Sequence, residues 1–292
     1  MKNKTKILLA LTSLVPLALS SCGDKIRETD DLSQAPKFIE KTYFNFLEAT
    51  PTSGFFVSHL WSNNMQNTDP FGSTWNEKQV SYNSNDGMVL AVNKTDDKSL
   101  IRDATGKIRD DFEPYLSAEI RTIEAFTYGF YGTVMKPSAV SSIVSAFFTY
   151  TGPSENQPHD EIDIEFLGKD LTQVQFNYYA GNDQPHEYMF KLGFDASNDY
   201  HHYGFYWGKN EITWYVDYQP VYRLANITTP SHPSKVFSSC WKVTQLEENR
   251  KAWAGELDES KLPTSSKHKS ISIADLDGKA INPLPEGANY NN

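Results

Sequence analysis

Short runs of β-branched and aromatic residues recur along the chain between clusters of Gly, Pro, Asn and Asp, at residues 88–92, 131–135, 143–150, 161–167, 174–179, 203–207, 212–216 and 236–243. Apolar and polar positions alternate within them, the period of a strand with one face buried. No long segment repeats its apolar residues at helical spacing; residues 38–49 are the one stretch expected to form a helical turn or two. Many short strands with turn signals between them predict an all-β fold of two packed sheets.

In one run every polar position of the alternation is an acid. In His159-Asp-Glu-Ile-Asp-Ile-Glu-Phe-Leu-Gly the positions opposite Ile162, Ile164 and Phe166 are Glu161, Asp163 and Glu165. Successive side chains of a strand point to opposite faces, so the three acids share one face. Like charges in a row raise one another's pKa and cost stability that Thr, Ser or Lys at the same positions would avoid. Such a row calls for a chemical use. Retaining glycoside hydrolysis supplies one, because it needs a carboxylate nucleophile and a carboxylic acid about 5 to 5.5 Å apart. Glu161 and Glu165 would stand about 13 Å apart at Cα on a flat strand, so twist and two long side chains must bring their carboxyl groups together.

Asp160-Glu-Ile-Asp-Ile-Glu165 followed by Phe-Leu-Gly resembles the signature strand of glycoside hydrolase family 16, the licheninase and xyloglucan-transferase group. Around it, in the order used by bacterial licheninases, stand Ser117-Ala-Glu-Ile-Arg-Thr, Tyr128-Gly-Phe-Tyr-Gly, Met135-Lys-Pro, Phe147-Phe-Thr-Tyr-Thr-Gly-Pro, Val174-Gln-Phe-Asn-Tyr-Tyr, Leu192-Gly-Phe-Asp and Tyr203-Gly-Phe-Tyr-Trp. The likeness is close over residues 71–241, and Trp253-Ala-Gly and Leu262-Pro resemble the last cleft strand and its loop. It implies a β-jelly roll whose concave sheet forms an open cleft, and an endo-acting β-glucan hydrolase. Glu161 would be the nucleophile, Glu165 the acid and base, and Asp163 the electrostatic intermediary. Sugar contacts would come from Asn67, Glu119, Arg121, Phe148, Tyr150, His159, Asn177, Tyr179, Ser239 and Trp241, whose rings can stack on glucose and whose amides and charges can bind hydroxyls. His201 and Trp207 match scaffold positions.

Some departures matter. His159 stands where typical licheninases have Trp, and Ser239 where they have Asn. His before Asp-Glu-Ile-Asp also occurs in plant xyloglucan transglycosylases, which makes sugar transfer the first rival activity. A sugar-binding lectin on the same sandwich is a rival of another class, although the intact acidic row argues against it. Asp217-Tyr218 replaces the common Asp-Gly, which weakens the expectation of a two-residue hairpin. Ser73 and Ser117 stand at the positions that match the disulfide many licheninases carry.

The ends read separately. Lys2, Lys4 and Lys6 precede an apolar run at residues 7–19, too short to span a bilayer as a mature helix, so residues 1–21 read as a signal peptide. Leu19-Ser-Ser-Cys22 resembles a bacterial lipobox, with cleavage before Cys22 and lipid on its thiol. A cell-envelope enzyme held to the membrane through this anchor alone is the expectation. Residues 22–36 read as a charged tether, 37–278 as the hydrolase domain and 279–292 as a flexible tail. Two cysteines in the chain leave Cys240 without an internal partner once Cys22 is lipidated. A net charge of −10 without a basic cluster in the mature chain disfavours nucleic acid and suits a neutral polysaccharide. No cofactor or catalytic metal is expected. Some relatives hold a structural calcium, but the strand at 270–274 offers no Asp for it. A monomer is expected.

Overall fold

The computed structural model describes residues 27–66, 69–181 and 183–281. Among these, sixteen strands and one α-helix follow in order. The first eight strands are β1 (Thr42–Asn45), β2 (Phe55–Val57), β3 (Thr74–Trp75), β4 (Val80–Asn83), β5 (Gly87–Lys94), β6 (Tyr115–Thr122), β7 (Gly129–Lys136) and β8 (Ile143–Thr151). After them come β9 (Asp160–Leu167), β10 (Gln173–Tyr179), β11 (Tyr188–Lys191), β12 (His201–Trp207), β13 (Glu211–Val216), β14 (Gln219–Ala225), β15 (Lys235–Lys242), α1 (Glu248–Ala254) and β16 (Thr264–Asp275).

Two antiparallel sheets pack face to face. One runs β11-β10-β9-β8-β15-β6 with β2 on the outer edge of β6, and the other runs β5-β16-β7-β12-β13-β14 with β4 beside β5 and β1 beside β16. The chain joins them where β5 pairs with β6, and β3 adds a short parallel pairing on β6. Alternation decides what lies between. Ile162, Ile164 and Phe166 of β9, Val174 and Phe176 of β10, and Tyr203, Phe205 and Trp207 of β12 are wholly buried in one core. Trp214 of the second sheet reaches across it, its indole N–H donating to the Asp163 carbonyl at 3.0 Å, which ties the acid-bearing strand to the layer beneath. Large aromatic side chains of this kind dominate the burial energy of such a core.

Several expectations change. Residues 38–49 contain β1 and not a helix, because Tyr43 and Phe44 are buried and the strand pairs with β16. Part of the segment read as a tether is docked: Asp30 N–H donates to Arg223 O at 2.8 Å, and Asp30 Oδ2 accepts from Ala225 N–H at 2.7 Å. The Tyr215 hydroxyl donates to Pro36 O, and Phe38 packs edge-on against Tyr215, His202 and Phe130. This docking needs Gly132, where a methyl group would come within 2.6 Å of His202 Nε2 and 2.9 Å of the Phe38 ring. At the other end, Ile281 N–H donates to Ile273 O, so the first residues of the expected tail return along β16.

The hairpin at Asp217-Tyr218 forms without glycine. Both residues take positive φ, 47° and 65°, and Val216 faces Gln219. The strained turn is held because Tyr218 stacks on His202 at 3.9 Å and Asp217 accepts from His201 Nδ1 at 2.8 Å and His202 N–H at 3.2 Å. Ser117 Oγ donates to Ser73 Oγ at 2.6 Å, a hydrogen-bonded pair at the positions matched to the missing disulfide. Cys240 is buried, its thiol pushed up to about 11 by burial, and packs as a small apolar residue.

Candidate active site

β9 lies inside the first sheet, with two strands on one side and four on the other. Directly opposed residues of antiparallel strands share a face, and the register therefore builds the cleft in rows. Glu161 faces Tyr179 on β10 and Tyr150 on β8. Asp163 faces Asn177 and Phe148, and that row continues through Phe237 to Arg121 and Phe56. Glu165 faces Gln175 and Ala146, and its row continues through Ser239 to Glu119.

Each acid has its own partner. His159 Nε2 meets Glu161 Oε2 in a close hydrogen bond, with the imidazole stacked on Tyr179 at 4.3 Å and edge-on to Tyr150 at 5.4 Å. Asn177 Nδ2 donates to Asp163 Oδ2 at 3.1 Å, and Gln175 Nε2 donates to Glu165 Oε2 at 3.3 Å. Trp253 of α1 donates its indole N–H to Gln175 Oε1 at 3.1 Å.

The electrostatics separate the acids. Glu165 is pushed up to about 8, by burial first and then by the charges of Glu161 and Glu187. Asp163, 4% exposed, is held well above the usual carboxylate range by burial, by the charges on either side and by a hydrogen bond with Glu161, against the opposing Asn177 amide. For His159 burial disfavours the charged imidazole, but the hydrogen bond and charge of Glu161, with Asp160, outweigh it and hold the ring above its ordinary value. Glu161 thus sits between a ring whose charged form it favours and a neighbouring carboxyl whose proton its charge helps to hold.

Asp160 has a structural part. Burial raises it, but Oδ1 accepts from Gly181 N–H at 2.7 Å and Oδ2 from Ser231 N–H at 2.8 Å, His232 N–H at 2.9 Å and His232 Nδ1 at 2.7 Å, which together hold it below the usual range. This one carboxylate pins the loops after β10 and before β15 to the start of the acidic strand.

The other expected sugar contacts line the same sheet. Arg121 lies over the Phe56 ring at 4.7 Å. Glu119 is buried, accepts from Ser58 Oγ at 2.6 Å and is pushed up to about 7 by burial. Phe148 stacks on Phe237 at 4.8 Å, Ser239 is buried, and Trp241 lies against Phe71 at 4.3 Å and Trp253 at 6.1 Å. Asn67 lies outside the described residues. Trp253, expected on a cleft strand, comes from the helix α1, and Gln175, Phe237 and Phe56 were not singled out from sequence. The alternation that selected Asn177 and Tyr179 points equally to Gln175. Among the described residues no group of three His, Cys, Asp or Glu is arranged for a metal ion, and Asp275, just past the 270–274 stretch, accepts at Oδ1 from Lys279 N–H at 2.7 Å.

Residues 65–259 match the profile of Glycosyl hydrolases family 16. The chain belongs to this family. It is 39% identical over 232 residues to a beta-glucanase of Acetivibrio thermocellus, a match that takes in 79% of this chain but 63% of that protein, so the chain spans less than two thirds of it. To a beta-glucanase of Bacillus amyloliquefaciens it is 40% identical over 202 residues, covering 68% of this chain and 76% of the relative. The solved structure of Bacillus licheniformis beta-glucanase superposes with a TM-score of 0.66 at 33% identity, over 78% of this chain and 95% of that one. The family 16 jelly roll expected from sequence is the fold observed.

Proposed function

We propose that this family 16 chain is an endo-acting β-glucan hydrolase that cleaves β-1,3-1,4-linked glucan with retention through a glycosyl-enzyme intermediate. The observation that carries the reading is the row of carboxylates on one face of β9, each with a hydrogen-bond partner of its own. Sheet extends to both sides of that row, so a long chain can lie across the strands and be cut internally. The names of the similar proteins, beta-glucanases, support the substrate class.

In the first step the Glu161 carboxylate attacks the anomeric carbon, the bond from that carbon to the bridging oxygen breaks, and the Glu165 proton passes to the departing oxygen. Burial and the Glu161 charge keep that proton on Glu165 at neutral pH. In the second step Glu165 takes a proton from water as the water oxygen attacks the same carbon and the ester to Glu161 breaks. Asp163, sharing a hydrogen bond with Glu161, absorbs the change of charge between the steps.

His159 against Glu161 supports a second reading, transfer of the glycosyl unit to a sugar hydroxyl in place of water. Incubation of mixed-linkage glucan, laminarin, xyloglucan and agar with and without an oligosaccharide acceptor tests both. Shorter fragments alone, with mixed-linkage glucan cut fastest, are expected; longer products would favour transfer, and sugar binding without turnover would mean a lectin.

The proposal extends to export and to lipid anchoring through Cys22, which lies outside the described residues. Labelled palmitate should enter the wild-type chain in a bacterial host and not Cys22→Ser. Label in both would remove the anchor from the account.

A further inference from the structure

The hydrogen bonds behind Glu165 run in one direction only. An indole N–H donates and cannot accept, so the Gln175 atom 3.1 Å from Trp253 Nε1 must be the amide oxygen. This assigns the amide without ambiguity between its two ends and leaves the NH2 group as the end that meets Glu165 Oε2 at 3.3 Å. An NH2 group donates and cannot accept. Glu165 Oε2 is therefore the oxygen that receives a hydrogen bond, and because the carbonyl oxygen of a carboxylic acid accepts more strongly than its hydroxyl oxygen, this bond favours the proton on Oε1.

We infer that Trp253 and Gln175 are positioning residues that decide which oxygen of Glu165 carries the proton: Trp253 orients the Gln175 amide, Gln175 occupies Oε2, and the proton rides on Oε1. The inference rests on the reading of Glu165 as the acid and base and adds a part to it. In the glycosylation step the Oε1 proton passes to the bridging oxygen while the anomeric carbon leaves that oxygen for Glu161. In the return step Oε1 takes a proton from the attacking water, and Gln175 stays a donor to Oε2 throughout. Neither residue touches the reacting atoms for this purpose.

The relay is anchored from outside the acidic strand. Lys169 Nζ donates to Ala252 O at 2.8 Å and Ser142 N–H to Ala254 O at 2.8 Å, which fix α1 on both sides of Trp253. The Trp253 ring also lies 6.1 Å from Trp241 within the aromatic group beneath this end of the cleft. A helix of seven residues has little stability of its own, so its place here is set by these contacts, and they aim the indole at Gln175.

The test is the dependence of kcat/KM on leaving-group pKa, measured with aryl glycosides of one oligosaccharide from dinitrophenyl to phenyl, and with the polysaccharide, for Trp253→Phe and Gln175→Met. A leaving group that needs no proton is indifferent to where the Glu165 proton lies. General acid help contributes about 10²- to 10⁴-fold, and a misplaced proton should forfeit part of it. We expect losses of about tenfold on the polysaccharide and the phenyl glycoside, shrinking to about twofold or less on the dinitrophenyl glycoside, so that the slope steepens in both variants. An equal loss across the series in both, or no loss, would overturn the relay and leave Trp253 and Gln175 as packing or sugar contacts. Glu165→Gln separates the two levels: a steep slope there with flat slopes in the other variants sinks the relay alone, whereas a flat slope for Glu165→Gln sinks the role of Glu165 and the relay with it.

Discussion

Asp163 is nearly sealed from water between two other acids, and burial with the flanking charges favours its protonated form. Burial, with the charges of Glu161 and Glu187, makes Glu165 an acid at neutral pH, and the consequences can be measured. Since Glu165 must carry the proton for glycosylation, kcat/KM should fall as pH rises through about 8. Glu187→Gln removes one of the negative charges that hold Glu165 up, so the alkaline limb should move to lower pH; an unmoved limb would separate Glu187 from the acid. Glu161→Gln keeps the shape and removes the nucleophile, and glucan hydrolysis should drop to background; wild-type turnover would overturn the assignment. The acids were legible at this scale because a two-residue period depends on local backbone geometry alone. The function of His159 was less so: read as a sugar contact, it lies on Glu161, and only the folding of Tyr179 and Tyr150 around it places it there.

Strands that alternate cleanly were readable in sequence, and the observed β8, β9, β10, β12 and β13 begin and end within about two residues of their expected limits. β16 was readable only in its second half. Its first half, Thr264-Ser-Ser-Lys-His-Lys, is polar, yet Ser266 and His268 are buried between β5 and β7, a placement that only long-range pairing dictates. α1 was missed because seven residues are too few to display a helical period. The anchoring of β9 belongs to this scale as well. Asp160→Ala would remove the hydrogen bonds that a buried carboxylate accepts from two loops, at a cost of about 2 to 3 kcal/mol, which should lower Tm by roughly 5 to 10 °C for a domain of this size. A thermal scan checks it, and an unchanged Tm would mean that the loops hold themselves.

The whole molecule balances two opposite proton linkages. Glu119 and Glu165 have folded pKa values raised to about 7 and about 8, so the stability they favour is present below their unfolded values and is lost as pH rises from near 4.5 toward 8. His202 and His268 are lowered by burial to about 4 and about 3, so their contribution is present above 6.5 and is lost as pH falls toward those values. Tm should therefore peak in mildly acid solution, and Glu119→Gln should raise Tm at pH 8 relative to pH 5; equal effects at both pH values would contradict the linkage. The two-sheet architecture was legible from repeated alternation, but the strand order was not, since neighbours such as β6 and β15 are far apart in sequence and pair only when the chain folds back on itself. The central claim is that one strand face passes a glycosyl unit through an ester to Glu161. The most direct measurement is the anomeric configuration of the first product released from mixed-linkage glucan, followed by proton NMR before mutarotation. The β-anomer should appear first, and initial release of the α-anomer would contradict the account.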